Sequence, residues 1–187
     1  MDDFTTLIIN RRSIRQFTEQ PLLPEQAELI LQAALMAPSS KNSRPWQFVA
    51  VEEKETLKKL AGCRASGAAF LEGCAMAVVV LGDATVTDAW IEDASIAAVF
   101  MQLQAADLGL GSCWCQVRNR QTATGADTVQ YVRELLDIPS RFGVLCILGF
   151  GQTGQSRSPV NTSDLPWEKV HTGCFTDPES RIKPLLA

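Results

Sequence analysis

The stretch from Asp93 to Leu108 limits the possible folds most. Ala97, Ala98, Val99, Phe100, Met101, Leu103, Ala105 and Ala106 would cover most of the circumference of a helix there. A helix that apolar is expected to be buried on nearly all sides, in a core or at a subunit interface. Gly109 follows it, as a left-handed helix cap requires. Other elements must surround such a helix. Ala77 to Leu81 is apolar and valine-rich and reads as a central strand. Trp46 to Val51, Ser112 to Val117 and Val144 to Phe150 read as further strands. Phe4 to Asn10 reads as a short helix. A second opens at Pro24 and Glu25, carries Ala27, Ile30, Leu31, Ala34 and Leu35 at helical spacing, and stops before Pro38. Glu53 to Leu60 forms a charged helix, and Val129, Val132 and Leu135 or Leu136 stripe another that ends before Pro139. Helices in pairs between isolated strands, without strict βαβ alternation, predict an α+β fold with helices packed around a sheet.

With 187 residues the chain suits one domain, or one domain with an extension, and 46% hydrophobic residues suffice for a real core. A net charge of −4 argues against nucleic acid, whose phosphates call for a basic face. No apolar run approaches the roughly 20 residues of a membrane-spanning helix. The acidic start Met1-Asp2-Asp3-Phe4 lacks a signal-peptide pattern, so a cytoplasmic protein is expected. Six cysteines without a Cys-x-x-Cys pair, beside the single His171, make a zinc site unexpected and point to buried free thiols. The tail from Gln152 onward is polar and proline-containing, and too long to be mere fraying.

Four segments carry possible chemistry. Gly149-Phe150-Gly151-Gln152-Thr153-Gly154 matches the dinucleotide fingerprint after a strand. Ser156, Ser158, Pro159 and Asn161 then break the helix that a Rossmann unit needs, which leaves glycines that could let backbone approach a ligand. In Arg11-Arg12-Ser13-Ile14-Arg15, an extended chain would point Arg11, Ser13 and Arg15 the same way and Arg12 and Ile14 elsewhere. Two forked cations and a hydroxyl suit a phosphate, although a solvated basic patch reads the same. Ala37 to Trp46 concentrates hydroxyls and an amide between prolines, either as an ordinary loop or as one that positions polar groups around a ligand. Leu108-Gly109-Leu110-Gly111-Ser112-Cys113-Trp114 is a helix cap and strand start, or backbone lying against a flat ring.

Taken in order, Arg-Arg-Ser-x-Arg, Pro-Ser-x-x-Asn-x-x-Pro-Trp, Trp90-Ile91-Glu92-Asp93 leading into an alanine-rich helix, Gly-Leu-Gly-Ser-Cys-Trp and Gly-x-Gly, these segments resemble the FMN-dependent nitroreductase family from about Phe4 to Arg157. The resemblance implies a mainly antiparallel sheet flanked by helices and one FMN-binding domain over 1–187, with 152–187 an arm that embraces a partner. It implies that Arg11, Ser13 and Arg15 hold the FMN phosphate and ribityl chain, with Arg12 inside the same motif. It implies that Pro38, Ser39, Ser40 and Asn42 reach the flavin from the neighbouring subunit. Gly109 to Trp114, with Leu110, Gly111 and Cys113, would line the ring, while Gly149, Gly151 and Arg157 complete the phosphate end. The family's usual Gln between the third helix and the central strand has no clear match around Ser66 to Phe70. The implied function is transfer of electrons from NADH or NADPH to a small organic acceptor such as a nitroaromatic or quinone, by a ping-pong mechanism in a homodimer. Other flavin chemistry (dehalogenation or flavin destruction) and a non-catalytic flavin carrier or redox sensor are the alternatives. No triad or acid pair is visible, and His171 reads as a surface or interface residue.

Overall fold

The computed structural model describes residues 3–175, so the end of the expected C-terminal arm, 176–187, lies outside the described residues. The elements follow in the order α1 (Phe4–Asn10), α2 (Pro24–Leu35), β1 (Trp46–Val51), α3 (Lys54–Ala61), β2 (Met76–Asp83), α4 (Trp90–Asp107), β3 (Gly111–Gln116), α5 (Thr128–Leu135) and β4 (Phe142–Gly151). Side-chain caps start three of the helices. Asp3 accepts from the Thr6 amide, Glu53 from the Glu55 and Thr56 amides, and Asp127 from the Gln130 amide. Pro24 sits at the first turn of α2, where its missing N–H costs nothing.

The four strands form one sheet in the order β1-β2-β4-β3, every pair antiparallel. β2 is buried over its whole length, as its valine run predicts. Its side chains alternate between two cores. Val78 and Val80 join Ile30, Ala97, Met101 and Phe150 under α2 and α4. Val79 and Leu81 join Leu57, Leu60, Val132 and Ile147 under α3 and α5. Each large aliphatic side chain so buried contributes on the order of 1.5–3 kcal/mol.

One expectation about α4 needs correction. The helix begins at Trp90, three residues before Asp93. The Trp90 indole lies across Gly82 and Gly143, which face each other on β2 and β4, and a Cβ on them would come within 2.4 Å and 2.5 Å of the ring. Within one chain the core covers only part of α4, and Ile96, Val99 and Phe100 remain 38%, 45% and 37% exposed. Ala94, Ala97, Ala98, Met101 and Ala105 are buried on its inner face, while Ile96, Val99 and Phe100 lie on its outer face. Gly109 takes φ +72° and ends the helix as expected.

No helix among the described residues is long and apolar enough to cross a membrane. Five cysteines are buried and Cys174 is exposed, all as free thiols. Burial pushes the Cys74 thiol up to about 12, which keeps it protonated and inert at neutral pH.

Candidate functional site

β4 ends at Gly151, and among the described residues no α-helix follows it. The chain instead returns as a strap along residues 9–18. Phe17 and Thr153 form an antiparallel bridge, and the Gly154 amide donates to the Gln16 carbonyl at 2.8 Å. On its other flank, the opening segment of residues 9–18 meets β3. Ser13 bridges Ser112 in parallel, and the Ile14 amide donates to the Ser112 carbonyl at 2.9 Å. Ile14 is buried against Gly111, where a Cβ would sit 2.7 Å from the isoleucine methyl. The residues expected to face away from a ligand thus include one that fixes the segment to the sheet.

Two cavities open along this seam. One, of about 270 Å³, lies between the ends of α1 and α4 and the strap, and is lined by Arg11, Arg12, Leu110, Gly111, Gln155 and Arg157 among others. The second, of about 540 Å³, is lined by Arg15, Gln16, Gly67, Ala69, Phe70, Gln155 and Arg157. Gln155 and Arg157 belong to both, and together the cavities fall within the roughly 300–1,000 Å³ of small-molecule sites. Arg11 and Arg15 therefore line neighbouring cavities and not a single one, with Arg157 common to the two, whereas Arg12 and Ile14, expected to point elsewhere, line the cavity of Arg11. Burial pushes the Cys113 thiol up, opposed by the nearby charge of Arg15.

Gly149 and Gly151 are occupied by packing. A Cβ on Gly149 would come 2.9 Å from the Phe70 ring, and one on Gly151 would come 3.0 Å from the Phe17 ring. Their bareness lets two aromatics close over the sheet end, a reason that a nucleotide fingerprint does not supply.

Pro38, Ser39, Ser40 and Asn42 lie at the opposite end of α4 from these cavities. The Ser40 amide donates to Oδ1 of buried Asp93 at 2.7 Å, in the first turns of α4. Ala106, near the other end, lines the arginine cavity. At roughly 1.5 Å per residue, about 20 Å of helix separates Asp93 from Ala106. The loop holds three left-handed non-glycine residues, Lys41, Asn42 and Arg44. Such conformations cost on the order of 1–3 kcal/mol each and persist where surroundings enforce them. Here the enforcing bonds run from the Arg44 amide to Ser39 Oγ at 2.9 Å and from Arg44 Nε to Asn42 Oδ1 at 3.0 Å. Buried Asp93 Oδ2, Ser43 Oγ and Trp46 Nε1 have no hydrogen-bond partner among the described residues.

Sequence reasoning missed Gln155, which lines both cavities and accepts from the Arg15 amide at 3.1 Å. It missed Asp93 as the latch of the loop as well. Nothing in a lone glutamine marks a site. Asp93 could have been suspected as an acid inside an otherwise apolar helix face.

The model of the nitroreductase family matches residues 8–69 and 64–152. The chain belongs to the nitroreductase family. A protein of Archaeoglobus fulgidus named as a candidate NADH dehydrogenase/NAD(P)H nitroreductase is 34% identical over 155 residues, 81% of this chain and 86% of its own. An FMN-dependent nitroreductase from Clostridium difficile R20291 is 44% identical, with a TM-score of 0.90 over 92% of this chain and 100% of its own. An NADPH:FMN oxidoreductase from Vibrio harveyi, solved in complex with NAD+, is 26% identical, with a TM-score of 0.79 over 94% and 79%. The expected fold and family are therefore established, and the shared fold extends over most of the described chain.

Proposed function

We propose that this chain is an oxidoreductase that binds FMN non-covalently, takes electrons from NADH or NADPH, and passes them to an organic acceptor such as a nitroaromatic or a quinone. The observation that carries this reading is the pair of adjoining cavities that share Arg157 and Gln155, with Arg11 on one side and Arg15 on the other. That donor set fits a phosphorylated cofactor: guanidinium forks on both sides of one cavity match phosphate oxygens, and a second charged cavity adjoins them. FMN, when bound, supplies the hydride-accepting chemistry. Arg11 and Arg157 would hold its phosphate, and Ser13, Arg15 and the start of β3 would hold the rest. No side chain need act as acid or base, and the ring of His171 rests against Phe175. The names of the Clostridium difficile and Vibrio harveyi proteins support the cofactor and the donor.

The same reading makes 1–187 one domain and the active form a homodimer. Pro38, Ser39, Ser40 and Asn42 would complete the site of the neighbouring copy, and the C-terminal arm would embrace that copy. The chain's own loop is too far from its own arginines for these residues to serve them.

Denaturing the purified protein should release a flavin with the mass of FMN. Release of FAD, or no uptake of added FMN, would overturn the cofactor. Donor and acceptor taking turns in one pocket should give parallel initial-rate lines, and intersecting lines would exclude the shared pocket. Absence of steady-state NAD(P)H oxidation with a quinone would leave a flavin carrier. A second reading, flavin destruction, draws on a 5,6-dimethylbenzimidazole synthase from Rhodospirillum rubrum that is 25% identical over 198 residues, 89% of this chain and 90% of its own. Flavin absorbance that fails to return on reoxidation after turnover would favour it.

A further inference from the structure

The guanidinium of Arg12 is aimed at main chain: its Nη1 donates to the Ser158 carbonyl at 2.6 Å. Ser158 lies on the strap, and the strap is tied to the opening segment at a series of points. The Thr18 amide donates to the Gln152 carbonyl at 3.0 Å, and the Gly154 amide to the Gln16 carbonyl at 2.8 Å. The Arg15 amide donates to Gln155 Oε1 at 3.1 Å, and the Val160 amide to the Ile9 carbonyl at 2.9 Å. Rising positions on the strap meet falling positions on the opening segment, so the two run antiparallel. Between the ties at Gln155 and Ser158 falls Arg157, level with Ser13.

No apolar burial fixes this part of the strap, because Ser156, Arg157, Ser158, Pro159 and Val160 are all exposed. Segments of that kind open locally at low cost, and their few hydrogen bonds set where they lie. A charged donor on a carbonyl is stronger than the neutral amide ties beside it. Remove it, and among the described residues no other hydrogen bond ties the strap to the opening segment between Gln155 and Val160.

We propose that Arg12 is a positioning residue: by binding the Ser158 carbonyl it fixes the strap so that Arg157 faces the anion cavity, and it does not itself hold the anion. The identity of the anion, the phosphate of FMN, rests on the function proposed above. Lysine at this position still places a cationic donor near the carbonyl. Alanine frees the strap and lets Arg157 swing toward solvent.

The test is a double-mutant cycle on FMN affinity, read by flavin fluorescence quenching on apoprotein. R12A should weaken FMN binding by about tenfold, the effect of losing one charge-assisted bond, and R12K should recover most of it. In an R157A background, R12A should add less than about twofold, because the group that it positions is already gone. Weakening by the same factor in both backgrounds would mean that Arg12 meets the phosphate directly, and would overturn the proposal. So would an R12A chain that binds FMN as the wild type does. If the wild type takes up no FMN, the functional reading fails. Amide exchange at Val160 then decides the role of Arg12: faster exchange in R12A than in the wild type supports the tie, and an unchanged rate overturns it.

Discussion

Gly82 and Gly143 show how one absent Cβ can place a whole helix. They face each other on β2 and β4 beneath the Trp90 ring, which opens α4. Gly82→Ala should force the indole off the sheet. Overpacking of this kind costs about 1–3 kcal/mol, or roughly 2–4 °C of melting temperature per kcal/mol in a chain of this size. Gly73, with nothing near its would-be Cβ, is the control, and Gly73→Ala should melt close to the wild type. Calorimetry of both variants decides whether the contact matters. At the cavity, Arg11→Ala should weaken FMN binding about 10–100-fold, since a lost charged donor costs about 1.5–3 kcal/mol. Arg12→Ala should cost less. Asp83 gives a pH signature. Hydrogen bonds from the Thr85 hydroxyl and amide, then the nearby Arg141 charge, hold its carboxyl below the usual carboxylate range. Its contribution is present above the unfolded value and is lost as pH falls through the lower folded value. Asp83→Asn should therefore lose stability near neutrality and show a shallower acid decline than the wild type in pH-dependent melting. A parallel shift at all pH values would show that the carboxyl charge is not responsible.

At the scale of elements, hydrophobic period together with proline and glycine signals located the four strands and the helices to within a few residues. The valine run of β2, the stripe of α2 and the prolines that stop α2 and α5 are local signals that the tertiary structure had no reason to override. What could not be read depends on contacts between distant segments. The seat of Trp90 needs two glycines on different strands, the Gly149 and Gly151 positions need Phe70 and Phe17, and the strap needs its ties to residues 9–18. The arginines of the candidate site stood out by charge type, which is local, but the period-two spacing did not predict their partners, since Arg12 and Ile14 line the cavity with Arg11 and Arg15 lines the next one. Gln155 and the Asp93 latch did not stand out, because each acts through a main-chain amide far away in sequence. The outer face of α4 was legible as an anomaly: its residues are apolar beyond the needs of one core. Ile96, Val99 and Phe100 stand exposed there, while Phe4 and Leu7 of α1 with Phe100 and Leu103 line an apolar groove alongside. If this face is the subunit contact, Val99→Asp should bury a charge and shift the protein toward monomer, as seen by analytical ultracentrifugation. An unchanged sedimentation coefficient would place the interface elsewhere.

For the whole molecule, the decisive quantity is the length of α4. The loop with Ser39, Ser40 and Asn42 is latched to Asp93 at one end, and the cavity with Arg11 and Arg157 adjoins Ala106 near the other. About 20 Å of rigid helix between them keeps a chain's loop from its own arginines. If both groups contact one FMN, they come from different copies, and each cofactor joins two chains. Folding, association and binding are then linked, and added FMN should raise the melting temperature by mass action. Mixing chains tests the geometry directly. Arg11→Ala and Asn42→Ala homodimers should each bind FMN weakly at both sites. In the heterodimer, one site combines the altered arginine segment with the altered loop, and the other combines the two intact ones. A tagged, purified heterodimer should therefore bind FMN with wild-type affinity at one site and more weakly than either homodimer at the other. Two equal, weak sites would mean that each chain builds its own site, and the shared-cofactor arrangement would fail. A wild-type monomer that keeps its FMN would have the same consequence, because no second copy would then be needed to complete the pocket.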